Sequence, residues 1–180
     1  IIGTCQDALG RRPLARQSLQ TALDILNRPR GEDVLGSAAP WLVVRIQVDM
    51  AALDREDGQP LLAVRRIEAA LAVYEPLDPD SLPLGRYILE LARAKAASGQ
   101  EDAALADFER AFGIFQIKRG ALGASADAAG AYFDILLKRI GGDPAANAAD
   151  AQRFFASSEA LVGESTAAAS LQFAERLSSG

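Results

Sequence analysis

Apolar and small residues recur along this chain with one repeated set of spacings. A small residue that follows an apolar one is itself followed, seven positions later, by Gly, and then by Ala, an apolar residue and Ala. The last three lie on one helix face, and each Gly suits a helix end. The copies are Ile2-Gly3, Gly10, Ala15, Leu19 and Ala22; Met50-Ala51, Gly58, Ala63, Ile67 and Ala70; and Leu91-Ala92, Gly99, Ala104, Phe108 and Ala111. The pattern predicts three pairs of antiparallel helices.

Segments dense in Pro, Gly, Asp and Ser separate the predicted pairs, at residues 27–40, 76–83 and 141–144. These residue types interrupt helices, and Asp80 or Ser81 is a candidate cap for the helix that follows the second break. Beyond the third copy, the weaker helical spacing predicts a divergent fourth pair over residues 124–162. A terminal helix is expected over residues 165–177.

The three copies resemble the tetratricopeptide repeat, whose signature places a Leu-Gly pair, a turn Gly and an Ala-aromatic-Ala series at these offsets. The resemblance covers residues 1–118 and implies an all-α fold, a solenoid of antiparallel helix pairs in a right-handed superhelix. We expect one domain over residues 1–180, with repeats over 1–30, 37–77 and 80–118 before the divergent pair.

The copies depart from the family's pattern in two ways. Gln6, Asp54 and Lys95 stand where the first helix of the repeat usually carries an aromatic residue. The turn glycines Gly10, Gly58 and Gly99 are 48 and 41 residues apart, against roughly 34 in the standard unit. Longer helices or longer connections must absorb the difference.

Residues 131–180 resemble the segment that joins the repeats to the protease-like domain of bacterial CHAT-domain proteins. This resemblance implies that a caspase-related domain follows the chain and that the chain is a fragment of a longer protein. The fragment itself would recruit partners for that linked domain or regulate it.

The residue types present argue against an enzyme in this fragment. The chain has no His and a single Cys, Cys5, so the commonest general base is absent and the thiol has no imidazole to activate it. No phosphate-binding Gly loop, paired Cys motif or acidic calcium loop occurs. We therefore expect no catalytic residue, no cofactor and no metal site.

Charge and hydropathy argue against two classes of partner, nucleic acids and membranes. The formal net charge of −5 disfavours nucleic acid, whose phosphates need a basic surface. No apolar run approaches the ~20 residues that span a bilayer, so no membrane insertion is expected. The cytoplasm is favoured, with export left open because the chain begins at Ile1. We read Arg65 and Arg66 as part of a solvated helix face.

Charged residues repeat on the predicted first helices. Arg45 and Asp49 in the second copy match Arg86 and Glu90 in the third, and Arg93 lies one turn further along. In the tetratricopeptide family the first helices line the concave surface on which partner peptides dock, and the resemblance makes these five residues candidate partner-binding residues. The same spacing also describes ordinary helix-surface pairs, which contribute only about 0.2–0.5 kcal/mol.

Two functions follow from this pattern. In the first, the chain binds a partner protein or peptide, including its own linked C-terminal domain, on the concave face. In the second, it is a structural scaffold for intramolecular packing or homo-oligomerisation. A receptor should keep polar side chains on the open face, whereas a scaffold should show a contiguous apolar patch there.

Overall fold

A computed structural model describes residues 11–27, 39–117, 126–142 and 147–158 of the chain. In these ranges all regular secondary structure is α-helical, as the sequence predicts. There are seven helices in the described ranges: α1 (Arg12–Leu26), α2 (Ala39–Glu56), α3 (Pro60–Tyr74), α4 (Leu82–Ala97), α5 (Glu101–Ile117), α6 (Ala126–Gly142) and α7 (residues 148–158). The first-copy residues Ile2, Gly3 and Gly10, and the predicted terminal helix over 165–177, lie outside the described residues.

The chain divides into two compact units, residues 1–111 and 112–180. In the first, α1 packs on α2, α2 on α3 and α3 on α4, and α2 also contacts α4. In the second unit, the described helices are α6, α7 and the part of α5 that begins at Phe112. The expectation of a single domain over residues 1–180 stays a prediction.

The turns after α2 and α4 have the same backbone structure. Gly58 and Gly99 adopt the left-handed conformation, with φ of +75° and +81°, as predicted for helix-ending glycines. In the first turn the Gln59 amide donates to the Asp54 carbonyl at 2.8 Å, and in the second the Gln100 amide donates to the Lys95 carbonyl at 2.9 Å. These bonds satisfy carbonyls that the helix end would otherwise leave unpaired. A side chain at either Gly would meet no steric obstacle, so the positive φ is what requires Gly here.

The repeated positions of the second and third copies form the core of the first unit. Helical spacing turns each set toward a neighbouring helix, and the small residues let backbones approach. The members of both copies that lie on helices are all buried: Met50, Ala51, Ala63, Ile67, Ala70, Leu91, Ala92, Ala104, Phe108 and Ala111. In the first copy Ala15 and Leu19 are also buried, whereas Ala22 is half-buried.

The connection between α3 and α4 decides between the two predicted caps. The Ser81 hydroxyl oxygen accepts a hydrogen bond from the Leu84 amide at 3.2 Å, which makes Ser81 the N-cap of α4. Asp80 instead takes a positive φ of 58° in the turn that precedes it. Tyr74 and Tyr87 then meet edge to face, with ring centroids 5.1 Å apart, where α3 and α4 pack.

A chain of aromatic rings holds the second unit together. Tyr132 on α6 lies edge to face with Phe112 and Phe133, and Phe133 with Phe154 of α7, at centroid distances of 5.2–5.5 Å. The helix runs through Gly141 and ends at Gly142, two residues into the predicted break over 141–144, and the rest of that break lies outside the described residues. Both α6 and α7 lie within the predicted divergent pair over residues 124–162.

Candidate functional site

The five residues proposed from the sequence lie on two helices that contact each other, α2 and α4. We call this surface the α2/α4 face and define it by Arg45 and Asp49 on α2 and by Arg86, Glu90 and Arg93 on α4. Steps of four and three place each set along one side of its helix. The fold therefore brings together, on neighbouring helices, residues that are 37 to 48 positions apart in the chain.

On α2, Arg45 and Asp49 form an ion pair with each other. Arg45 Nε donates to both carboxylate oxygens of Asp49, at 3.1 and 3.2 Å, while half of the Arg45 side chain remains exposed. Burial raises the pKa of Asp49 above its ordinary value; Arg45 opposes that rise and Glu90 adds to it.

On α4 the expected Arg86 to Glu90 pair does not form. Glu90 instead accepts from Arg93 Nη1 at 2.8 Å, and its second oxygen lies 3.9 Å from Arg55 Nη2 on α2. Arg86 is exposed and makes no hydrogen bond or ion pair with another described residue. Its guanidinium donors therefore have no acceptor among the described residues.

Arg55 is a member of the site that the sequence did not reveal. Burial lowers the pKa of Arg55 from its ordinary value, and repulsion by Arg93 lowers it further, while Glu90 acts in the opposite sense. Within the described residues, Arg55 Nε and Glu90 Oε2 are buried without a hydrogen-bond partner. Arg55 has no counterpart in the third copy, where Ala96 occupies the matching position, so the repeat pattern carried no signal for it.

Trp41 is the second addition to the site. It lies one helical turn before Arg45 and two before Asp49, on the same side of α2, and its side chain is among the exposed large apolar ones. Half-exposed Trp beside Arg is a combination enriched where proteins bind one another. With Arg55 and Trp41 added, the α2/α4 face joins an aromatic surface to four arginines and two acids, an excess of positive charge in a chain of net charge −5.

A second concave feature lies between α2 and α3. This cleft has a volume of about 660 Å³ and is largely apolar, within the range of roughly 300–1,000 Å³ typical of ligand pockets. Its lining residues are Pro40, Val43, Val44, Gln47, Leu62, Arg65, Arg66, Ala69, Ala70 and Val73.

The cleft also corrects the reading of Arg65 and Arg66 as one solvated face. Arg65 is exposed as expected. For Arg66 the expectation was wrong, because its guanidinium donates to Asp54 Oδ2 at 2.8 Å and to Gln47 Oε1 at 2.7 Å. The apolar cleft therefore has one of its two cations already engaged.

Among the described residues, no three His, Cys, Asp or Glu side chains are grouped so that they could hold a metal ion. None of the helices in the described ranges combines the length and apolarity that crossing a membrane requires. Cys5 lies outside the described residues.

No protein-family model, no curated protein and no solved structure matches this chain. The function is therefore inferred from the packing of these helices and from the charges that they carry.

Proposed function

We propose that the chain is a protein-interaction module of the tetratricopeptide-like kind, which binds an acidic segment of a partner protein on the α2/α4 face. Its helix pairs would stack as a solenoid in a right-handed superhelix. The matching turns at Gly58 and Gly99 support a repeated hairpin. So does the burial of the same signature positions in both copies.

The observation that carries the proposal is Arg86, which is exposed and has no partner among the described residues, on a face with an excess of arginines. Arg45 and Arg93 each have a carboxylate already, whereas Arg86 has none among the described residues. A planar guanidinium binds a carboxylate through two parallel hydrogen bonds, which gives both orientation and charge recognition. An acidic side chain of the partner is the natural complement of Arg86.

Trp41 would supply the apolar part of the contact. Trp and Arg dominate the binding energy of many interfaces, and they do so where apolar neighbours exclude water. A partner segment that combines an acidic residue with an apolar one would fit both Arg86 and Trp41. Charge complementarity would mainly speed the encounter and select the partner.

The alternative function, a scaffold for intramolecular packing or homo-oligomerisation, fits this face less well. Such a scaffold needs a contiguous apolar surface, whereas the α2/α4 face presents charged side chains around a single Trp. The partner can still belong to the same protein. In line with the resemblance of residues 131–180 to CHAT-domain proteins, we propose that the module recruits partners for a linked domain or regulates it.

The test is binding to an array of synthetic 12-residue peptides that are acidic, neutral or basic but share their apolar residues. We expect the acidic set to bind best, and Arg86→Glu to weaken that binding at least about tenfold, the effect of losing a charge-assisted contact and adding repulsion. The matched control is Arg65→Glu, since Arg65 is also exposed and unpaired among the described residues but lies on α3.

Binding that is indifferent to peptide charge, or equal losses in the two variants, would contradict the proposal. Thermal unfolding of both variants serves as the check on folding. Because Arg86 has no partner among the described residues to lose, its replacement should leave the melting temperature near that of the wild type.

A further inference from the structure

Asp54 is a buried acid that joins three helices. Its side chain, 2% exposed, accepts from Arg16 Nη1 of α1 at 2.7 Å and from Arg66 Nε of α3 at 2.8 Å. A carboxylate so enclosed is stable only because both oxygens have cationic donors. We call this arrangement the first triad; its charges run positive, negative, positive from α1 through α2 to α3.

Lys95 occupies the same position 41 residues further on. Its Nζ lies 2.7 Å from Asp107 Oδ2 of α5 and 3.7 Å from Glu68 Oε1 of α3. This second triad runs negative, positive, negative from α3 through α4 to α5. The central residues are structurally equivalent, because each accepts the backbone hydrogen bond that closes its own turn, from Gln59 and from Gln100 respectively.

The apolar signature positions of the two hairpins are alike in burial. Ala63 and Ala104 are both fully buried, and Ile67 and Phe108 are buried at the next matching position. Contacts of this kind distinguish one hairpin from the other poorly. Repeat proteins with similar units tend to misassemble by exchanging units between chains.

We propose that the inverted triads specify which hairpin stacks on which helix, and so prevent exchange of hairpins between copies of the chain. Correct stacking places Arg16 against Asp54, and Glu68 against Lys95. Exchange would instead bring Arg16 of one chain to Lys95 of another. Two cations would then meet beside a Lys95 side chain that is only 14% exposed, which is unfavourable.

The exchange must occur between chains because short turns constrain each chain. Only residues 57–59 separate α2 from α3, and only residues 98–100 separate α4 from α5, so each first helix folds back on its own second helix. The stacking of one hairpin on the preceding helix has no such constraint. That contact is the one to which Arg16 and Glu68 contribute.

The test gives both triads the same order of charges. The triple variant Arg16→Glu, Asp54→Lys and Arg66→Glu converts the first triad to negative, positive, negative. It keeps the buried central charge paired, although the new acid at position 16 also faces Asp57, which is 38% exposed. The control is Arg65→Glu, which changes the net charge by the same amount at an exposed site. Each 180-residue chain is unfolded in denaturant, refolded at high protein concentration and analysed by light scattering after size exclusion.

We expect the triple variant to form at least tenfold more dimer than the wild type or the control. Because exchanged hairpins would hold this dimer together, its two chains should separate only after unfolding. Asp54→Lys alone should fail to refold, and the triple variant should recover the helical signal that the single variant loses.

Two results would overturn the proposal. If the triple variant refolds with the same dimer fraction as the wild type, charge does not direct stacking. If the triple variant fails to fold although its charges are complementary, the two triads are not interchangeable, and the premise of the proposal is wrong.

Discussion

Helix α2 carries charged residues in two settings that differ in burial. At its end, Asp54 lies in the interior, bonded to arginines of α1 and α3. Nine residues earlier, Arg45 lies on the α2/α4 face, where it pairs with Asp49 but keeps half of its side chain in solvent. In the sequence the two settings look alike, because each consists of acidic and basic residues at helical spacings. Burial separates a charge that holds helices together from one that is available to a partner.

The largest expected effect is the loss of the buried charge. Asp54→Ala leaves Arg16 and Arg66 without their shared acceptor and should lower the free energy of unfolding by about 3–5 kcal/mol. Urea denaturation followed by circular dichroism measures the change. Asp57→Ala is the control, because Asp57 also accepts from Arg16 but is 38% exposed, and it should cost less than about 1 kcal/mol. Equal losses would mean that burial does not separate the two settings.

A smaller effect is expected where small residues let helices approach in the same interior. Ala63→Leu and Ala104→Leu, at positions with no exposed surface, should each destabilise the fold by about 1–3 kcal/mol through overpacking. Ala72→Leu and Ala106→Leu are matched controls on the same helices, at exposed positions, and should melt close to the wild type. A melting temperature that falls equally in both sets would show that the signature positions do not control the packing.

The smallest expected effect on stability concerns the α2/α4 face, and it depends on pH. Because the pKa of Asp49 is raised in the fold, chiefly by burial, the folded state favours its protonated form. Its ionisation lowers stability as the pH rises from the ordinary carboxyl range through the raised pKa. Asp49→Asn should therefore gain up to about 1 kcal/mol at about pH 7, and this gain should vanish at about pH 3, where Asp49 is protonated in both states.

The control for this prediction is Asp24→Asn, which removes an exposed acid on α1. Urea denaturation of both variants at the two pH values measures the difference. A gain for Asp49→Asn that is the same at both pH values would contradict the titration of Asp49 as its cause.

Much of the local structure could be predicted because it depends on short spacings. The left-handed glycines Gly58 and Gly99, the cap before α4 and the burial of Ala63 and Ala104 each follow from a few neighbouring residues. The candidate site stays a prediction. Arg45, Asp49, Arg86 and Glu90 were chosen by their matching positions in two copies, and Arg93 because it lies one turn further along. Arg55 and Trp41 have no charged or aromatic counterpart one copy later.

By itself, the order of residues determined that the chain is helical and where the turns after α2 and α4 fall, because helical periodicity and glycine conformation are local properties. Only the tertiary structure decided what each charge does. Asp54 and Arg66 looked like a departure from a pattern and a solvated residue, yet they form one buried ion pair. The distance between side chains on different helices depends on how the helices pack, which no spacing within one helix records.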